Sequence, residues 1–88
     1  MAKDGKSAAL AVIGEAIFTS RMKAGRTVVD VADEAGMSRQ TLWLIERGEQ
    51  EPRVMAFARL CDVLKIDPGA LLQRVSGMRA LAAGRKTT

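Results

Sequence analysis

The chain has no histidine and no tyrosine, one cysteine, two prolines and only three aromatic side chains, Phe18, Trp43 and Phe57. Each shortage excludes something. Without histidine, the commonest general base and a usual zinc ligand are missing, and no side chain titrates near neutral pH at its ordinary value. A single cysteine, Cys61, allows no internal disulfide. No apolar run is long enough to span a bilayer, and the apolar patch at residues 8–13 stops at Gly14 and Glu15. The N-terminus therefore reads as the start of a helix rather than as a secretory signal, and a cytoplasmic protein is expected. No phosphate-cradling glycine loop, metal-ligand cluster or nucleophile–base pair occurs, so no enzyme and no cofactor is expected. The clustered acids Asp30, Asp33 and Glu34 read as a solvated helix face.

What remains is an 88-residue chain that is 48% hydrophobic, with a net charge of +4. That length makes one domain, burying only about 60% of its unfolded surface, so the core must be compact or shared with a partner chain. Frequent alanine, leucine and arginine favour helix, and nothing reads as a strand of useful length. The basic balance fits a nucleic-acid partner.

Residues 27–48 organise the rest. Val28, Val31, Ala32 and Ala35 recur at helical spacing, after Thr27 as N-cap and with Asp30 three residues on. Gly36 stops that helix. Ser38 caps a second one, with Met37 and Leu42 placed as a hydrophobic staple around the cap, and Gly48 ends it. Two short helices across a break at residues 36–38 form a helix-turn-helix, whose second helix can enter the DNA major groove.

Before this unit, residues 8–24 read as a helix capped by Ser7, with Leu10, Ile13, Ile17 and Arg21 on one face and Gly25 at its end. Residues 1–7 read as a mobile arm. After it, Val54, Phe57, Leu60, Cys61 and Leu64 define the inner face of a fourth helix, with Cys61 as a buried structural thiol. Asp67 caps a fifth helix that has Pro68 at its first position and Ile66 and Leu71 as its staple. Its apolar stripe, Leu71, Leu72, Val75, Met78, Leu81 and Ala82, runs on past Gly77. Two uses stay open for this C-terminal extension (residues 77–88): a dimer seam, or a frayed helix lying on its own domain. The domain proper is residues 8–76.

The ordered set Gly25, Thr27, Val31–Ala32, Gly36–Met37–Ser38, Leu42, Ile45–Glu46–Arg47–Gly48, Pro52, Leu60, Leu64–Lys65–Ile66 and Leu71 resembles the helix-turn-helix of Cro and phage repressors, the XRE family. The resemblance spans residues 13–72. It implies an all-α, five-helix, lambda-repressor-like DNA-binding domain, with the helix-turn-helix as helices two and three. It also implies an ion pair between Arg21 and Glu46 that ties the first helix to the recognition helix. By position, Arg39, Gln40 and Leu44 resemble the base readers. Arg can bond guanine bidentately, Gln can bond adenine, and Leu offers only apolar contact. Thr27, Ser38, Thr41, Trp43, Arg47 and Arg53 would lie along the DNA backbone.

Some residues depart from the family pattern. Arg26 stands where an apolar staple residue is usual, and Val28 stands where a phosphate-binding glutamine is common. Phosphate anchoring then falls to Thr27, to backbone N–H groups, or to Arg26 and Lys23. Glu49 and Glu51 place acids where bases would help. Trp43 has three open uses: packing on a DNA sugar or phosphate, lying in a protein interface, or folding back as peripheral core. The expected function is a dimeric, sequence-specific double-stranded DNA-binding regulator, a repressor on a pseudo-palindromic operator. The alternative is a protein-interaction module, antitoxin-like or anti-repressor, using Val28, Val29, Trp43 and Leu44.

Overall fold

Four helix ends close by one local device, and that device sets the course of the chain. The computed structural model describes the backbone of residues 5–87 and the side chains of residues 7–78. Five helices follow in order: α1 (Gly5–Lys23), α2 (Val28–Ala35), α3 (Arg39–Glu46), α4 (Val54–Leu64) and α5 (Pro68–Thr87), with no strand among the described residues. At the ends of α1 to α4 the amides of Arg26, Met37, Glu49 and Ile66 reach back to the carbonyls of Arg21, Ala32, Leu44 and Cys61 at 2.8–3.1 Å. A bond spanning fewer residues nests inside each, and the residue donating it has a left-handed backbone. Glycine holds that position three times. The exception is Lys65, at φ 59°, which the sequence did not flag and where a side chain costs about 1–2 kcal/mol.

The starts are equally local. Thr27 Oγ1 accepts the Asp30 amide at 3.1 Å, and Ser38 Oγ accepts the Thr41 amide at 3.0 Å. Asp67 Oδ1 accepts the amides of Gly69 and Ala70 at 2.9 and 3.2 Å. The staple residues all turn inward: Leu42 and Leu71 are buried, and Met37 and Ile66 pack on the core.

Several expectations need correction. Helix α1 begins at Gly5, so Ser7 lies inside it and is not its cap, and residues 5–7 are helical rather than part of an arm. Residues 1–4 of the expected arm lie outside the described residues. Helix α5 runs on through Gly77, as the apolar stripe does in the sequence; the side chains of Leu81 and Ala82 lie outside the described residues. Val54 was expected on the inner face of α4 but is 80% exposed. It is the first residue of that helix, where the stripe has passed the edge of its partners and reaches only the mouth of an apolar groove between α1, α4 and α5.

Ile17, Val31, Leu42, Ile45 and Leu60, from four different helices, are the largest fully buried side chains. Helix α1 is the hub and packs against α3, α4 and α5, while α2 packs against α3 and α4. The α1–α3 contact is unusually close. A Cβ built on Gly14 would sit 2.4 Å from the carbonyl oxygen of Ile45 and 2.7 Å from that of Glu46. A Cβ on Gly48 would meet the Ala11 Cα at 3.1 Å. Two glycines, one on each side, let the backbones of α1 and the end of α3 touch. No described helix is long and apolar enough to cross a membrane.

Alanine substitutions at two helical glycines should therefore have opposite signs. Gly14→Ala should lose about 1–3 kcal/mol, because a backbone must shift. Gly77→Ala, with nothing within 4 Å of the added carbon, should gain about 0.5–1 kcal/mol from helix propensity. Urea unfolding of both variants checks this; a Gly14→Ala protein as stable as the parent would contradict the close approach.

Candidate nucleic-acid interface

Helix α3 turns Leu42 and Ile45 into the core and leaves Arg39, Gln40 and Trp43 in solvent. Its N-terminal turn is fixed from within. Ser38 Oγ accepts the Thr41 amide and also donates to Thr41 Oγ1 at 2.8 Å. Both hydroxyls expected along the DNA backbone are thus already engaged in the cap, as is Thr27 Oγ1 at the start of α2. Free backbone N–H groups at these two helix starts remain as anion donors.

The C-terminal end of α3 is fixed from outside. Glu46 receives Arg21 in a bidentate fork, Nε to Oε2 at 2.7 Å and Nη2 to Oε1 at 3.0 Å. Arg21 Nη1 donates to the carbonyl of Arg26 at 2.9 Å, at the α1–α2 junction. Both side chains are buried, and the Arg21 guanidinium also lies 5.5 Å from the Phe18 ring centroid. The hydrogen bonds to Glu46 raise the Arg21 pKa against the opposing effect of burial, so the guanidinium keeps its charge. The resemblance implied this pair, and the structure places it as a three-way tie among α1, the α1–α2 loop and α3.

Around this frame the basic residues sort into two groups. Arg26 is not free for phosphate. Its Nε donates to Asp30 at 2.8 Å, and its Nη2 meets Glu34. Asp30 and Glu34 raise its pKa, and Arg26 in turn holds the Asp30 carboxyl below the usual carboxylate range. Where the family usually has an apolar staple, this chain has an ionic one. Its spacing, 26, 30 and 34, is helical and was there to be read in the sequence. Arg47 is also engaged: Nε donates to Glu49 at 3.0 Å, and its guanidinium sits 4.6 Å above the Trp43 ring. Arg39, Arg53 and Lys23 have no hydrogen bond or ion pair among the described residues.

The apolar residues divide as well. Trp43 is 49% exposed and outside the core, which excludes its use as peripheral core. Val29 is exposed, whereas Val28 packs partly on the core and Leu44 is half-buried. Leu44 thus offers less surface than Arg39 and Gln40. Cys61 is buried as expected, and burial raises its thiol pKa. No cluster of potential metal ligands occurs among the described residues.

A capped short helix, a three-residue turn and a second capped helix with an exposed polar first turn define the class: a helix-turn-helix DNA-binding domain. Comparison with known proteins gives the family. The chain belongs to the helix-turn-helix domain family, whose model matches residues 13–75. It is 36% identical over 84 residues to the transcriptional regulator ClgR from two strains of Mycobacterium tuberculosis, across 86% of this chain and 75% of that protein. It is also similar to the crystal structure of the clp gene regulator ClgR from Corynebacterium glutamicum. There the TM-score is 0.69 at 25% identity, over 90% of this chain and 84% of the other.

Removing one member of the buried pair leaves its partner charged and uncompensated. Arg21→Ala should therefore cost about 3–5 kcal/mol, read by thermal or urea unfolding. Replacing both members, Arg21→Met with Glu46→Met, should recover much of that loss. A double variant as unstable as Arg21→Ala would show that the cost is not one of a stranded charge.

Proposed function

We propose that this chain is a sequence-specific, double-stranded DNA-binding transcriptional regulator that lays α3 in the major groove. The observation that carries the reading is the first turn of α3, where Arg39 and Gln40 stand exposed and unpaired on a helix held rigidly at its other end. Arg39 reads guanine through O6 and N7, Gln40 reads adenine through N6 and N7, and Leu44 adds apolar contact of the kind a thymine methyl accepts. Arg53 sits exposed at the start of α4, in reach of the flanking backbone. Thr27, Ser38 and Thr41 serve the backbone through the helix starts they cap rather than through spare hydroxyls. Trp43 and Arg47 complete the backbone contacts, Arg47 once its guanidinium leaves Glu49.

In this reading two protomers occupy a pseudo-palindromic operator, act in the cytoplasm, and repress by occupying the site. Half-sites would lie about 34–36 Å apart, one helical turn. The names of the relatives, both regulators, support the regulatory role. A second reading, docking of a protein partner, draws on the exposed Trp43 and Val29, 49% and 42% accessible, beside Val28 and Leu44.

Selection of duplexes from a randomised pool at about 0.15 M salt tests both readings, since nonspecific attraction is then screened. A palindromic consensus is the expected result; no enrichment would favour the protein partner. On the selected site, Arg39→Ala should lose about 1–3 kcal/mol of discrimination at one base pair. Arg53→Ala should weaken all sequences alike and flatten the salt dependence by about one ion. Unchanged binding by both variants would refute the assigned roles.

A further inference from the structure

Between Arg21 and Arg53, the helix-turn-helix with its flanks, six basic and six acidic residues balance, so the chain's net charge of +4 lies outside this stretch. That is a spare endowment for a surface meeting a polyanion, because neutralised phosphates supply nearly all sequence-independent affinity. Three of the six bases are engaged by acids of the same unit. Arg21 is buried with Glu46, and Arg26 is gripped by both Asp30 and Glu34. The third pair differs. Arg47 and Glu49 are about half exposed, 53% and 49%, and a single carboxylate faces the guanidinium.

The fold does not need this carboxylate. The Glu49 backbone amide closes the end of α3 on the Leu44 carbonyl, a role open to any residue but proline. The Glu49 side chain has one described partner, Arg47, which it holds where the guanidinium also lies over Trp43. An exposed ion pair and an exposed cation–π contact are each weak. At about 1 kcal/mol the ion pair cuts the free population of Arg47 by about fivefold, enough to bias a phosphate contact and not enough to forbid it, and the stack adds to it.

We propose that Glu49 limits the chain's sequence-independent attraction to duplex DNA by holding Arg47 over the Trp43 ring, so that a phosphate gains this arginine only by displacing the carboxylate. This rests on the reading of α3 as the DNA-contacting helix. Glu49 thereby shifts binding away from bulk phosphate attraction and onto the contacts of Arg39 and Gln40.

The test uses the full chain, a labelled random-sequence duplex and salt from about 50 to about 200 mM, with four proteins: parent, Glu49→Gln, Arg47→Gln and the double variant. Glu49→Gln should bind about fivefold tighter than the parent at the lowest salt, with the slope of log K against log salt steeper by about 0.9. Its advantage should shrink about three- to fourfold across that salt range. In the Arg47→Gln background the same change should give a clearly smaller gain and no steepening. Without DNA, Glu49→Gln should also alter the emission of Trp43, the only tryptophan, as the stack loosens. Equal gains in both backgrounds would make Glu49 a mere neighbouring charge and overturn the proposal while leaving the DNA reading intact. Unaltered Trp43 emission would also overturn it. A parent chain that binds no duplex at the lowest salt would sink the DNA reading and the proposal with it.

Discussion

Arg21 commits its guanidinium to the helix-turn-helix on three sides: two nitrogens to Glu46 and the third to the carbonyl of Arg26. Burying this charge on α1 is costly unless it is paired, and here each guanidinium nitrogen has an acceptor. The result is a directional constraint in a core that is otherwise non-directional. Apolar contacts among Ile17, Leu42, Ile45 and Leu60 gather the helices, but they tolerate rotation and sliding. The fork from Arg21 does not, because planar bidentate geometry fixes both the register of α1 against α3 and the point where α2 departs.

Electrostatics elsewhere in the unit follow the same economy. Acids answer the bases at the start of α2 and just past the end of α3, leaving Lys23, Arg39 and Arg53 as its unpaired cations among the described residues. A surface of this kind attracts DNA over long range less strongly than the chain's overall basicity suggests. It places more of the recognition on short-range contacts made by a rigid first turn.

Much of this was legible because it is local. Thr27, Ser38 and Asp67 act within three residues of themselves, and Gly36 makes its turn alone, so caps and breaks could be read from neighbours in the chain. The Arg21–Glu46 pair, 25 residues apart, was reached only through resemblance to a family. What escaped depends on tertiary contact. Gly14 marked only the end of an apolar patch in the sequence, and its purpose appears when the carbonyls of Ile45 and Glu46 stand against it. Val54 kept the right spacing but lies where the core ends. Lys65 adopts a glycine-like backbone because the preceding helix closes there with whatever residue is present. The Arg26–Asp30–Glu34 arrangement was the exception, a local pattern that went unread because Arg26 reads as a phosphate anchor and the acids as a solvated face.

The attachment of α3 has a mechanical side. Its polar ties and its glycine contacts all fall at the Ile45–Gly48 end, while apolar contacts of Met37 and Leu42 support the other. Eight residues of helix reach about 12 Å. A tilt of about 5° at the fixed end moves the far end by about 1 Å, enough to spoil a hydrogen bond whose useful range is under 1 Å. The helix is a pointer pivoted at its heel. The fineness with which its tip can distinguish one base edge from another is therefore set on the far side of the molecule, where two backbones touch across a pair of residues with no side chains.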